Sequence, residues 1–197
     1  MALNYQRDSY KLWEAALKTH EDAQTSFVFN LSEVSKRSEE ELRKALVAHK
    51  LALQPNKHIR TWRTITDTVN REWGSFEALM QASGGDFLTL RHLVQVAHKQ
   101  GFPYLSGPKI FNYWSFILST YGGIRLKNRQ HISIAPDTHI TQCSIRLGVI
   151  SPEEAETLSK EVISERWHDL LSGSDIDAID MHPPLWFWSR NGFIYRL

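Results

Sequence analysis

Cys143 is the only cysteine in the chain, so no intrachain disulfide can form and a four-cysteine zinc or iron–sulfur site is excluded. Excess charge of either sign is also lacking: 23 basic against 22 acidic side chains leave a formal net charge of +1. A polyanionic partner must therefore be met by a local basic face. No apolar stretch approaches the roughly 20 residues that a membrane helix needs. The opening MALNYQRDSYKLWEAALK has no apolar core behind a basic end, as a secretory signal would. No internal repeat or low-complexity segment appears. These absences lead us to expect a cytoplasmic monomer with no cofactor, no metal and no membrane partner. At 197 residues the chain suits one globular unit or two closely packed lobes.

What is present is helical spacing with many aromatics. Tyr10 to Leu17 predicts a helix with Leu12, Trp13, Ala16 and Leu17 clustered. Ser26-Phe27-Val28-Phe29 reads as a buried extended connection, too short to form a sheet alone. Ser38 and Glu41 form a capping box before a helix carrying Leu42, Ala45, Leu46 and His49, with Pro55 as its end. From about Lys57 a second helix aligns Ile59, Trp62, Ile65, Val69 and Trp73, and Gly74 stops it. Ser75 to Gln81 is a short helix; Asp86 caps the next, which Gly101 ends. Ser151-Pro152-Glu153-Glu154 opens a helix expected to reach about Leu171. The tail His182-Pro183-Pro184-Leu185-Trp186-Phe187-Trp188 is too proline-laden for a regular helix throughout, and is expected to fold back onto the body. The class is all-α.

The chemistry concentrates between Phe102 and Arg146. Gly107-Pro108-Lys109 ends a short loop and opens the apolar run Ile110, Phe111, Tyr113, Trp114, Phe116, Ile117, Leu118. Proline suits the first helical position, where its missing N–H costs nothing. Pro136-Asp137-Thr138 opens the run Ile140, Cys143, Ile145, Leu147. A lysine and an aspartate thus stand at two successive helix mouths. An amine can attack a sugar C1′ and form a Schiff base, provided that burial or a nearby positive helix end favours its neutral form. A carboxylate can stabilise the positive charge that builds on the sugar and carry protons. Alone, Lys109 also reads as a solvated surface lysine, and Asp137 as a simple helix cap.

Together these motifs resemble those of the helix-hairpin-helix DNA glycosylases, the endonuclease III and 8-oxoguanine glycosylase superfamily. There a hairpin ending in glycine, one residue and lysine opens a helix, and an aspartate within D-T-H or D-x-H opens the next. Gly107-Pro108-Lys109 matches the first element, and Asp137-Thr138-His139-Ile140 with Arg146-Leu147-Gly148 matches the second. The likeness covers residues 101–150 and is much weaker outside them. It implies that Lys109 corresponds to the family's nucleophile and Asp137 to its invariant aspartate. It also implies two lobes with a cleft between them: a central domain, 35–125, and a second built from 1–34 plus 126–197. Three departures stand out. Leu105 occupies the place of the hairpin's first glycine, the cluster-forming cysteines are absent, and Gly122 to His131 looks like an insertion. Archaeal 8-oxoguanine glycosylases look nearer, sharing an irregular hairpin and no cluster.

The resemblance implies a partner, double-stranded DNA containing a damaged base, and further contacts for it. Leu105, Ser106 and Gly107 are expected to hold a phosphate through backbone amides, with Gly107 permitting close approach. His139 is either a second phosphate contact or an ordinary histidine bonded to backbone. Arg125, Lys127 and Arg129 are either ionic contacts or a solvated loop. Gln54, in Leu51-Ala52-Leu53-Gln54, matches a wedge that fills the gap left by a flipped base, or is a polar helix end. Trp186 and Trp188 are placed in the base pocket, with core packing as the alternative. Three functions follow: a glycosylase with abasic-site lyase activity on an oxidised base, 8-oxoguanine first; a monofunctional glycosylase in which Asp137 activates water; or a binding module for damaged DNA. In a prokaryote, such a protein is expected at the nucleoid.

Overall fold

A computed structural model of the chain describes residues 1–4 and 7–194, and among these it is all-helical, with one isolated bridge, Asp86 to Lys127, and no strand. The chain forms two compact units, residues 1–85 with 89–110, and residues 86–88 with 111–197. The expected division grouped 1–34 with the C-terminal part; these residues instead pack with the first unit. The cause is hydrophobic burial: Leu12, Ala15, Val28 and Val34 share one core with Leu42, Leu46, Leu51 and Ile59.

In the first unit, α1 (Ser9–Glu21) is capped by Asp8, which accepts from the Tyr10 and Lys11 amides. It buries Leu12, Ala15 and Thr19, whereas Trp13 and Leu17 of the expected inner cluster stay largely exposed. Ser26–Phe29 is a 3-10 turn rather than an extended connection. With no strand beside it, this segment satisfies its amides locally, as Val28 does on Thr25 and Asn30 on Phe27. Asn30 caps α2 (Leu31–Lys36), and the predicted Ser38–Glu41 box opens α3 (Glu39–Ala48). Pro55 does not end α3. It is the first residue of α4 (Pro55–Glu72), where its ring fits, and α3 has already ended at Ala48, just before Lys50, whose φ is +60°. Then come α5 (Phe76–Ala82), capped by Ser75, and α6 (Phe87–His92).

After α6 the helix widens into a π turn, Leu93–Ala97, closed by the His98 amide on the Leu93 carbonyl at 2.9 Å, and then tightens into the 3-10 turn Lys99–Gly101. Gly101 is required by close approach. A β-carbon there would meet Thr68 Cγ2 at 2.5 Å and Oγ1 at 2.6 Å, on a buried, β-branched side chain of α4. Gly101→Ala is expected to lower unfolding stability by about 1–3 kcal/mol through overpacking. Denaturant melts check this; unchanged stability would mean that Thr68 can move away.

In the second unit, α7 (Pro108–Thr120), which begins in the first, is followed by α8 (Thr138–Arg146), α9 (Pro152–Thr157), α10 (Lys160–Leu171) and α11 (His182–Arg190). Ile134, Ile140, Cys143, Ile163, Trp167 and Leu185 form its core, with Trp167 Nε1 donating to Ser144 Oγ at 2.9 Å. The single helix expected from Ser151 to Leu171 is two. Ser159 accepts from the Val162 amide and starts the second. The tail does fold onto α8, but as a regular helix: Pro183 and Pro184 fall in the first turn of α11, whose amides have no partner within the helix. No helix among the described residues is long and apolar enough to cross a membrane.

Candidate functional site

Lys109 is the second residue of α7, a 13-residue helix, and Asp137 is the N-cap of α8. Both stand where the sequence puts them, at helix mouths that carry partial positive charge. Asp137 Oδ1 accepts from the His139 and Ile140 amides, each at 3.1 Å; Oδ2 takes part in neither bond. Pro136, Ala135 and Ile134 before it are buried. Lys109, by contrast, is exposed. The burial that would favour its neutral amine is absent: Lys109 is exposed, whereas Phe102 and Phe111 on either side of it in sequence are buried. One turn further along α7, Asn112 Nδ2 donates to the Ser133 carbonyl at 3.1 Å. That bond ties the helix opened by Lys109 to the segment that runs into Asp137.

The hairpin departs from its expected role. Leu105 is buried, so its side chain packs inward, and any contact to a ligand would fall to its backbone. The Ser106 amide bonds to the Phe102 carbonyl at 2.8 Å, and the Gly107 amide to the Tyr104 carbonyl at 3.1 Å. Neither is turned toward a phosphate. The residue in the left-handed region is Tyr104 (φ +63°), not Gly107, and Lys57 Nζ lies 5.5 Å from its ring centroid. A β-carbon at Gly107 would lie 3.3 Å from the Tyr104 carbonyl oxygen, so the turn's own backbone is the close neighbour.

His139 bonds neither to backbone nor outward through Nδ1. Its Nδ1 is 3.0 Å from Ser189 Oγ, which donates onward to Gln142 Oε1 at 2.9 Å, so the imidazole is the donor to the hydroxyl. Its ring meets Trp186 edge-on, centroids 5.3 Å apart. Trp186 and Trp188 both pack against the core of the second unit, from different sides of α11. Two positions apart on α11, they point about 200° from each other; Trp186 packs on His139 and Trp188 on Phe193. Trp186 stands beside the helix that Asp137 opens. Cys143 is buried, its thiol donating to the Leu185 carbonyl at 3.1 Å, and burial raises its pKa above the ordinary thiol value, which removes it as a nucleophile.

Arg125 and Lys127 are exposed on the insertion. Arg129 is not available to a ligand: its guanidinium pairs with Asp177 and Asp180, reaches Ser119 Oγ at 3.2 Å and covers the Phe116 ring. The bond from Arg129 holds the Asp180 carboxyl below the usual carboxylate range. A depressed carboxyl stabilises the fold above its unfolded value near 3.8, and that contribution is lost as pH falls through the lower folded value. Arg129→Gln is expected to cost about 2 kcal/mol at pH 7, the half-exposed setting reducing what a fully buried pair would lose. The difference from the parent should shrink as pH falls below the ordinary carboxylate value in paired thermal melts; a constant difference would refute the ionic account.

Gln54 is the half-buried residue before Pro55 and makes no capping bond, whereas its neighbour Leu53 is 49% exposed. Sequence reasoning passed over Arg7 and His58, which hold this loop. Their one sequence signal is that His58 lies beside the apolar stripe of α4. Among the described residues no three His, Cys, Asp or Glu side chains assemble as metal ligands. Comparison with family models, curated proteins and solved structures finds no match to this chain.

Proposed function

We propose that this protein is a DNA glycosylase of the helix-hairpin-helix type with abasic-site lyase activity, acting as a monomer on double-stranded DNA that carries an oxidised base, 8-oxoguanine foremost. The observation that carries the proposal is the pairing of an amine in the first turn of α7 with a carboxylate at the cap of α8, in the Gly-Pro-Lys and Asp-Thr-His contexts. The bond from Asn112 to Ser133, which ties α7 to the approach to Asp137, supports it. In this chemistry the Lys109 amine attacks C1′ of the extruded nucleotide, and the C1′–N bond breaks. The base leaves with a proton and the attached amine loses one; the C1′–O4′ bond then breaks, O4′ taking up a proton, and the nitrogen lone pair closes the protonated imine at C1′. Removal of a C2′ proton then expels the 3′ phosphate. Asp137 stabilises the cationic sugar and relays the protons, with Trp186 beside the base.

The outward position of Lys109 favours one second reading, a monofunctional glycosylase in which Asp137 directs water to C1′. A module that merely grips phosphate through the hairpin is disfavoured, since the Ser106 and Gly107 amides are internally bonded. Incubation with duplexes each carrying one lesion, scored separately for base release and strand cleavage, tests these alternatives. Release with cleavage is expected; release alone selects the water mechanism. No release across oxidised purines and pyrimidines would overturn both.

A further inference from the structure

A net charge of +1 means that a polyanionic partner needs a local basic face, and the insertion expected to supply one has Arg129 spent on Asp177 and Asp180. The first unit has such a face. Between Glu41 and Asp67 the chain carries no acidic residue, yet it carries Arg43, Lys44, Lys50, Lys57, Arg60 and Arg63. Most cations of α1 to α3 are neutralised at short range: Lys18 by Glu14, Lys36 by Glu33, Arg43 by Glu39 and, at 3.9 Å, Lys44 by Glu40. Arg63 is turned to the backbone, donating to the Val34 and Arg37 carbonyls. The outward side of α4 differs. Lys57 and Arg60 are exposed about one turn apart, and Thr61 and Thr64, not carboxylates, stand one turn after them. The Arg60 side chain makes no hydrogen bond or ion pair among the described residues. Like charges one turn apart repel, and α1 and α3 avoid this with interspersed carboxylates where α4 does not.

The edge of this face is fixed by packing. Lys57 and Thr68 are about three turns apart on α4 and so lie on one side of it. Gly101 approaches Thr68 closely, and the Tyr104 ring lies under the Lys57 ammonium, 5.5 Å from its centroid. The segment 99–104 therefore borders α4, and it adds Lys99, which is exposed and whose side chain has no ion pair among the described residues. The one carboxylate on the outward side of α4 here, Asp67, stands about two turns beyond Arg60.

We propose that Lys57, Arg60 and Lys99 form the surface on which the first unit holds the phosphate backbone of double-stranded DNA, without reading sequence. This goes beyond the glycosylase proposal, which assigns no such surface, and rests on it for the choice of DNA among polyanions. Charge complementarity carries the rest: exposed ammonium and guanidinium groups neutralise phosphates and release their counterions. The Tyr104 ring is covered by Lys57, so it offers no bare platform for the bases of a single strand. A duplex presents phosphates and keeps its bases stacked inside, which is the ligand that this face fits.

Affinity of the whole protein for an undamaged duplex, measured between about 50 and 200 mM salt, decides it. In the parent protein log K should fall linearly with log salt. Lys57→Gln, Arg60→Gln and Lys99→Gln should each reduce that slope by about 1, and the triple variant by about 3. All three side chains are exposed, so the variants should fold as the parent does. Lys18→Gln, at a cation already paired with Glu14, should leave the slope as it is and serves as the control. A triple variant with the parent's slope overturns the assignment. A slope that falls instead with Arg125→Gln and Lys127→Gln puts the phosphates on the insertion and overturns it as well. Binding by the parent that is as tight for the single strand as for the duplex overturns the choice of ligand, and no binding overturns the whole. The duplex carries no lesion, so a failure to release a base leaves these slopes untouched, and the two proposals fail separately.

Discussion

Lys109→Gln is expected to lower the yield of borohydride-trapped protein–DNA adduct at least about 100-fold, because glutamine's amide nitrogen cannot form an imine. Folding should be almost unaffected. Lys109 is exposed near the start of a helix, and surface substitutions at such positions fall within about 0.5 kcal/mol. A thermal melt matching the parent, with the adduct gone, assigns the nucleophile. An adduct that persists in the variant removes Lys109 from the chemistry. Base release measured alongside separates the two glycosylase mechanisms. It should collapse with the adduct if the amine displaces the base, and survive if Asp137 directs water.

Asp137→Asn should cost about 10²- to 10⁴-fold in the single-turnover rate of base release, the range expected when a positioned carboxylate that balances charge and moves protons is neutralised. This substitution separates the proposed chemical role of Asp137 from its role as a helix cap. Oδ1 of Asp137 caps α8 through the His139 and Ile140 amides, and asparagine is about as good a cap as aspartate. Stability should therefore stay within about 0.5 kcal/mol, while Asp137→Ala, which removes the cap as well, should lose about 1 kcal/mol. A rate for the asparagine variant within threefold or so of the parent would make Asp137 a cap and nothing more.

The helical character and several helix starts were legible from residue order alone, because they depend on contacts four residues apart or fewer. The Ser38–Glu41 and Ser151–Glu154 boxes, Pro108 at the mouth of α7 and Asp137 before α8 all lie where the rules for helix starts placed them. Local rules erred where two were in competition. Pro55 was read as a stop although it equally serves as a start, Ser159 broke a helix that the apolar pattern carried through, and Pro183 and Pro184 opened α11 instead of preventing it.

Burial and long-range partners were decided only when distant segments packed together. Nothing near Leu105 in sequence says that its side chain turns inward, nor that Lys109 turns outward. Arg129 looked like a ligand contact until Asp177 and Asp180, some 50 residues on, enclosed it. The fork from Arg7 to Lys50 and Leu51 lies beyond any periodicity argument. By itself the order of residues determined where helices begin and which two side chains stand at consecutive mouths, since capping is a short-range exchange of hydrogen bonds. Tertiary packing alone determined which polar groups are spent inside the protein, since that depends on which remote donors and acceptors the core brings within 3 Å or so of one another.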